Sequence, residues 1–411
     1  MKLRVLRNLV VLVCALAGVC SGAEADLSAT AVSRRVADGV GVLDRLYWSP
    51  TLEIWLDRPG DDLRGFYDGR VNPPWWSAAN AVEVLLDFEK ATGRADYDAK
   101  IAALFEMNRD TRNRSPEVIA ELKRRRQWSE ADEKARGQKT GGRFLTDFCN
   151  EYLDDSGWWG LAWLKMFDRT HDGKYLAVAK AVHAHMAKSW RPDRNGGVMW
   201  SEEGDKQIPN AIENSLFLVL SARLFERTHD AAYLKWAEQE LEWFHAAKLY
   251  DGRGVVDSPG HHRDYWTYNQ GVFIGGLTAL FQATGNQEYL DEAATVADSV
   301  MNRAGVVLPD GVIIEKLGTN GWDPGLFKGV FIRYLAQLRD VLNARKLHPD
   351  IARQLDRCIR SSADSMIRNS LGDDGQFSIS WHEGATDQTR NFNTQTSALC
   401  ALVAVLPDQH P

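Results

Sequence analysis

The chain has 411 residues, of which 26% are charged and 44% hydrophobic, and a formal net charge of −7. That length is ample for a large core in one or two domains. The negative balance disfavours nucleic acid and anionic membranes as partners and leaves a neutral ligand as the simpler expectation.

Residues 1–25 read as a secretory signal. Lys2, Arg4 and Arg7 precede an apolar run from Leu9 to Val19 that is too short to span a bilayer, and Ala23-Glu24-Ala25 offers a cleavage site. Cys20 has no Leu three residues before it, so lipidation is not expected. The expected mature protein, residues 26–411, is secreted or periplasmic, soluble and monomeric, and carries 46 basic and 55 acidic side chains. Its cysteines, Cys149, Cys358 and Cys400, are odd in number and their spacing fits neither a disulfide framework nor a zinc site.

A punctuation recurs along the chain. It reads Thr92-Gly-Arg-Ala-Asp-Tyr97, Thr170-His-Asp-Gly-Lys-Tyr-Leu176, Thr228-His-Asp-Ala-Ala-Tyr-Leu234 and Thr284-Gly-Asn-Gln-Glu-Tyr-Leu290. Each copy lies between two segments with helical apolar spacing, such as Leu216, Leu220, Leu224 before and Leu234, Ala237, Leu241 after. The last two intervals are 58 and 56 residues, while the first is 78. The excess falls in a densely charged insertion, residues 109–143, whose Lys123-Arg-Arg-Arg126 run is flanked by acidic residues and is not read as a nucleic-acid patch. A period near 57 is one helical hairpin with its connection. Six such units fill the mature chain, which predicts an all-α closed ring, an (α/α)6 barrel in a single domain; an open solenoid would show the same period. Short β-like stretches, Gly254–Asp257 and Gly311–Ile314, fall in the connections and are expected to form small hairpins at the barrel mouth.

The tyrosine turns occupy one end of such a ring, so a site is expected among the opposite connections. These are aromatic-rich: Pro73-Pro-Trp-Trp-Ser-Ala-Ala-Asn80, Tyr152-Leu-Asp-Asp-Ser-Gly-Trp-Trp159, Gly196-Gly-Val-Met-Trp200, Tyr265-Trp-Thr-Tyr-Asn-Gln-Gly271 and Asn320-Gly-Trp-Asp-Pro-Gly-Leu-Phe-Lys-Gly329. Many of the chain's 15 tryptophans sit here, where indole faces suit sugar rings; Trp163, Trp236 and Trp243, at helical spacing, read as core. The adjacent Asp154 and Asp155 repel each other and stand beside tryptophans, as a glycosidase carboxylate pair would. The same pair would also serve as a helix N-terminus. Asp257 reads equally as a sugar ligand or a turn residue, and Lys328 as a buried charge ordering its loop. His183 and His185, two apart on a helix, point to different faces, and His261-His262 lacks a third ligand, so no metal or other cofactor is expected. Asp61-Asp62 and Asp373-Asp374 are rival acidic pairs without an aromatic wall.

The string Asp154-Asp-Ser-Gly-Trp-Trp-Gly-Leu-Ala-Trp-Leu resembles the signature of glycoside hydrolase family 76, the endo-α-1,6-mannanases. Trp75-Trp-Ser-Ala-Ala-Asn80, Gly196–Trp200, Asn210-Ala-Ile-Glu-Asn214, Trp266–Gly271 and Phe327–Arg333 support it, over roughly residues 40–400. The resemblance implies an (α/α)6 barrel that cleaves α-1,6-mannosidic bonds in mannan with retention, Asp154 as nucleophile and Asp155 as general acid/base. The expected sugar contacts are Trp76, Asn80, Trp158, Trp200, Asn210, Asp257, Tyr268 and Asn269. The segment 202–210 is longer than the family pattern, and with the 109–143 insertion it leaves linkage, chain-length preference and endo or exo action open. A uronyl hydrolase or epimerase of the same fold, and a non-catalytic glycan-binding protein, are the competing readings.

Overall fold

The recurring Thr-x-Asp/Asn turn is built by two local rules. Thr92, Thr170, Thr228 and Thr284 each end a helix and return their hydroxyl to the carbonyl four residues back, each at 2.7 Å. In the last three copies the following His171, His229 or Gly285 takes the left-handed conformation that ends a helix. Asp172, Asp230 or Asn286 then caps the next helix through its side chain. The helices therefore stop at Thr and restart three residues later.

The computed structural model describes residues 24–406 apart from 51, 58, 60–74, 111–119, 121–145 and 319–321. The signal-like segment, Asp61-Asp62 and nearly all of the charged stretch 109–143 lie outside the described residues. Twelve α-helices are present among those described: α1 (Ala29–Tyr47), α2 (Trp75–Thr92), α3 (Asp98–Asn108), α4 (Leu153–Thr170), α5 (Gly173–Lys188), α6 (Ala211–Thr228), α7 (Ala231–Ala246), α8 (Thr267–Thr284), α9 (Gln287–Ser299), α10 (Pro324–Arg345), α11 (Pro349–Asn369) and α12 (Phe392–Val405). The even-numbered helices are the inner ring. All 14 residues of α12 are buried, whereas α11 buries 8 of 21 along one stripe.

Each inner helix packs on the next, and α12 packs on both α10 and α2, so the ring closes and an open solenoid is excluded. The sixth hairpin joins the two ends of the chain. The Gln395 amide of α12 donates to the Gly39 carbonyl of α1 at 3.1 Å, and the Tyr47 and Phe392 rings meet edge-on at 5.7 Å. The architecture is an (α/α)6 barrel. Small residues set the spacing of the inner helices. A Cβ at Gly329 would lie 2.5 Å from Ser397 Cα, and one at Gly160 would lie 2.9 Å from both Leu220 and Val182 side chains. The glycines of the Ser-Gly-Trp-Trp-Gly string are thus packing notches between α4 and its neighbours.

Every outer-to-inner connection opens with an antiparallel pairing. The first is a short strand pair, β1 (Trp48–Ser49) with β2 (Ile54–Trp55). The others are single bridges, among them Trp190 with Val198, Tyr250 with Val255, Val307 with Ile313 and Leu371 with Phe377. The expected small hairpins at 254–257 and 311–314 are therefore present as bridges. Buried amides pin these connections to the inner helices. Asn214 accepts from Val198 N at 2.7 Å and donates to its carbonyl at 3.0 Å; Gln270 does the same for Val255 at 2.7 and 2.8 Å. A buried backbone group left unpaired would be costly, so these amides fix where the mouth loops sit.

Candidate active site

N-terminal residues of five inner helices line one cleft of about 730 Å3, at the end of the barrel opposite the Thr turns. Unpaired N–H groups and aligned peptide dipoles make that end electropositive, which favours carboxylates there. Asp154 and Asp155 are the second and third residues of α4. The approach to α4 is zipped to the loop after α5: Leu153 N–H donates to the Trp200 carbonyl and Glu202 N–H to the Glu151 carbonyl, both at 2.9 Å. This zip brings the Trp200 indole N–H to Asp154 Oδ2 at 3.1 Å. Asp154 Oδ1 accepts the backbone N–H of Asp155 at 3.0 Å. Asp155 turns to a different partner, accepting from Asn150 Nδ2 at 2.7 Å.

The neighbours hold different proton affinities. Burial raises both carboxyls. For Asp154 the Asp155 N–H and the Trp200 indole oppose that rise, and its pKa settles at about 6. Asp155 is pushed well above the ordinary range, first by burial and then by the charge on Asp154, with Asn150 pulling the other way. The two carboxyls are thus set apart, Asp155 being driven further toward its neutral form by the charge on its neighbour.

Further carboxyls surround the pair, Asp57 on the cleft wall among them. Asp323, at the N-terminus of α10, accepts the Trp76 indole N–H at 2.8 Å and is raised by burial. Asp257 is raised by burial and accepts from Asn269 Nδ2 at 3.0 Å. Glu213, fully buried on α6, accepts the Asn210 N–H and is raised far by burial and by the charge on Asp154. No described lining residue is Lys or Arg. A cleft with many acceptors and few cations suits a neutral ligand rich in hydroxyl donors.

Trp76, Trp158, Trp200, Asn210, Asp257 and Tyr268 all line this cleft with the aspartate pair. Tyr268 stacks on Phe327 with ring centroids 3.8 Å apart, and Trp76 lies against both Phe327 and Trp158 at 6.0 and 5.8 Å. Asn80 does not reach the cleft. It is fully buried, gives its amide to the Trp76 carbonyl at 3.0 Å and accepts from Arg333 at 2.7 Å, so it orders α2 rather than touching a ligand. Asn269 is likewise fully buried and acts on the cleft through Asp257. The aromatic pairs divide. Trp158 forms the cleft floor, while Trp159 stacks on Trp163 at 5.4 Å within the core, because consecutive helical residues point about 100° apart. Lys328 is a buried charge as expected: it donates to the Ile379 carbonyl, lies 4.2 Å from the Trp381 ring and is held down to about 7 by burial.

Asp323, Glu213, Tyr152 and Trp322 were not singled out by the sequence. Asp323 had a usable signal, an Asp before Pro324 at the start of a helix inside an aromatic loop. The segment 202–210 folds as a short 3-10 turn, Gly204–Lys206, with Lys206 bonded to the Tyr152 hydroxyl, and Ile208 stands exposed on the cleft rim. His183 is a core residue on Ser221, 3.0 Å away, and His185 faces the Asn150 carbonyl, so the two diverge as expected.

Comparison with known proteins places this geometry. Over 357 residues the chain is 27% identical to the mannan endo-1,6-alpha-mannosidase DCW1 of Saccharomyces cerevisiae, covering 80% of this chain and 71% of the yeast protein. The α-1,6-mannanase GH76A of Salegentibacter sp. HEL1_6 shares the fold at 22% identity and a TM-score of 0.71, over 91% of this chain and 98% of that one. An inactive variant of that mannanase, with two consecutive aspartates replaced by asparagine and α-1,6-mannotriose bound, matches with a TM-score of 0.70 at 22% identity, over 91% of this chain and 99% of that one. The sequence profile of glycosyl hydrolase family 76 matches residues 60–411, and the chain belongs to that family.

Proposed function

We propose that the protein is an exported endo-α-1,6-mannanase that cleaves mannan with retention, Asp154 acting as nucleophile and Asp155 as general acid/base. The observation that carries this reading is the adjacent pair on the first turn of α4, its members held by different partners and pushed to different proton affinities. A retaining glycosidase needs its carboxyls about 5–5.5 Å apart, and neighbouring Cα atoms, about 3.8 Å apart, allow that when the side chains diverge. The activity of the yeast relative and the inactive double-aspartate variant of the Salegentibacter mannanase support the same assignment. The signal-like N-terminus supports export, and the acidic, cation-poor cleft disfavours the uronyl alternative.

In the first step Asp154 attacks the anomeric carbon while Asp155 passes its proton to the departing 6-oxygen of the next mannose. A covalent mannosyl-enzyme forms. In the second step Asp155, now a carboxylate, takes a proton from water. The hydroxide adds to the anomeric carbon, Asp154 departs, and the α configuration is restored. Trp76, Trp158, Trp200 and Tyr268 would carry sugar faces, and Asn210, Asp257 and Asp323 would take hydroxyls. The test is linear α-1,6-mannan incubated with the pure protein and followed by NMR. First-formed α-anomer is expected; β-anomer first, or no cleavage, would refute the reading. Asp154→Asn and Asp155→Asn should each abolish cleavage.

A further inference from the structure

Asn150 lies four residues before Asp154, and every polar atom of its side chain is spoken for. Its Oδ1 accepts from Tyr152 N–H at 3.2 Å, and the Ser156 hydroxyl, also 3.2 Å away, shares its one proton between this oxygen and the Tyr152 carbonyl at 3.1 Å. Its own N–H donates to Ser156 Oγ at 3.1 Å, and Ser156 is fully buried on the first turn of α4. Flipping the amide would set its NH2 against the Tyr152 N–H, donor against donor, so the orientation is fixed. Its Nδ2 therefore faces Asp155, donating to Oδ2 at 2.7 Å. The backbone of Asn150 is fixed from outside the ring. Its carbonyl has no proton to give, so His185 Nε2, 3.0 Å away on α5, is the donor.

This clamp has a chemical consequence. The Asn150 amide nitrogen can donate but cannot accept. In a protonated carboxyl the carbonyl oxygen is the stronger acceptor, so a donor fixed on Oδ2 favours the acid form of Asp155 that carries its proton on Oδ1. Oδ2 is committed to the clamp, which leaves Oδ1 as the oxygen free to serve the cleft that Asp155 lines. We propose that Asn150, held by Ser156 and by His185, is the positioning residue of the acid/base: it assigns the transferable proton to Asp155 Oδ1 and keeps that oxygen aimed at the glycosidic bond. This rests on the acid/base role proposed for Asp155. The bond to Asn150 also stabilises the carboxylate that the second step requires, opposing the burial and the Asp154 charge that drive it toward neutrality.

The test compares two substrates that differ in their need for an acid. Linear α-1,6-mannan expels a sugar oxygen that must be protonated; α-1,6-mannobiosyl fluoride expels fluoride, which leaves without a full proton transfer. For Asn150→Ala, kcat/KM on mannan should fall by about 10–100-fold, part of the range typical of a general acid. On the fluoride it should change little, and this second substrate also reports that the variant is folded. The basic limb of the mannan pH profile should move to higher pH, because the carboxylate of Asp155 has lost a donor. His185→Ala should show the same pattern more weakly, and His185→Gln, which keeps a donor, should recover part of it. Equal losses on both substrates with unmoved limbs would overturn the proposal. The Asp155→Asn variant separates the two levels: if it spares the fluoride and Asn150→Ala does not, Asp155 remains the acid and only the clamp is refuted. If Asp155→Asn cleaves mannan normally, the role of Asp155 falls and the clamp with it.

Discussion

Replacing Asp154 by asparagine should stabilise the protein at pH 8 while removing its activity. The folded state raises the Asp154 pKa from 3.8 to about 6. The folded protein therefore binds this proton more tightly than the unfolded chain does. The sign follows: the contribution is fully present below about pH 4, is lost as the pH rises through about 6, and remains as a deficit above that. A rise of about two pKa units corresponds to a deficit of about 3 kcal/mol. Asparagine is neutral at every pH and has no such deficit. It has one acceptor oxygen, however, where the carboxylate uses two, for the Asp155 N–H and the Trp200 indole. Losing one of these bonds costs about 1 kcal/mol. The net gain at pH 8 is then about 2 kcal/mol, turning into a loss of about 1 kcal/mol below pH 4. With an unfolding entropy of roughly 2 cal/mol/K per residue over about 380 residues, the gain raises the melting temperature by about 2–3 °C. Differential scanning calorimetry of wild type and variant at pH 4 and pH 8 decides it. A variant no more stable than wild type at pH 8, or equally shifted at both pH values, would refute the argument that burial of the ionised Asp154 is being tolerated for function.

Three other outcomes are expected. Trp200→Phe removes a donor that stabilises the Asp154 carboxylate, whose pKa burial raises to about 6, so the acid limb of kcat/KM on mannan should move up by about 0.5–1 pH unit. Asn80→Ala should destabilise the protein by about 2 kcal/mol in urea titration, because the buried Arg333 guanidinium loses a partner, yet leave KM for mannan unchanged. Gly329→Ala should cost about 1–3 kcal/mol in the same titration, since the new methyl meets the Ser397 backbone where α10 and α12 cross.

The helical hairpins were legible because three of their turns obey the same short-range rules: Thr bonding back one turn, a left-handed residue, then an Asp or Asn cap. The location of the cleft was legible for a related reason, since those turns occupy one end and leave the aromatic loops at the other. What sequence could not resolve is direction within a turn. Trp158 and Trp159 look alike in the string, but one turn of helix sends the first to the cleft and the second to a core already holding Phe148 and Trp163. Asn80 and Asn269 look like polar ligands, but their partners, Arg333 and Asp257, are 253 and 12 residues away. Asn210 and Asn214, four apart on one string, divide the same way: the first opens onto the cleft, and the second holds Val198. Glu213 was hidden for the opposite reason. It reads as an ordinary capping glutamate, and only the ring closure brings it within range of Asp154.

Ring closure also bears on why so many carboxyls share one cleft. Asp154, Asp155, Asp257 and Asp323 line it and Glu213 is buried behind it; they come from four different inner helices or the loops leading into them, and like charges so gathered repel. Two features limit the repulsion. The inner helices present their N-termini to this end, so peptide dipoles favour negative charge where it remains. Burial then drives several carboxyls toward the neutral form, and Glu213 and Asp155 go furthest. Asp154 carries its charge with two N–H donors and the helix terminus beneath it. A carboxyl driven toward the neutral form can donate as well as accept. A cleft of this kind can meet the hydroxyls of a neutral sugar in either sense, and an anionic ligand would have to enter against its charge with no Lys or Arg among the described lining residues to offset it.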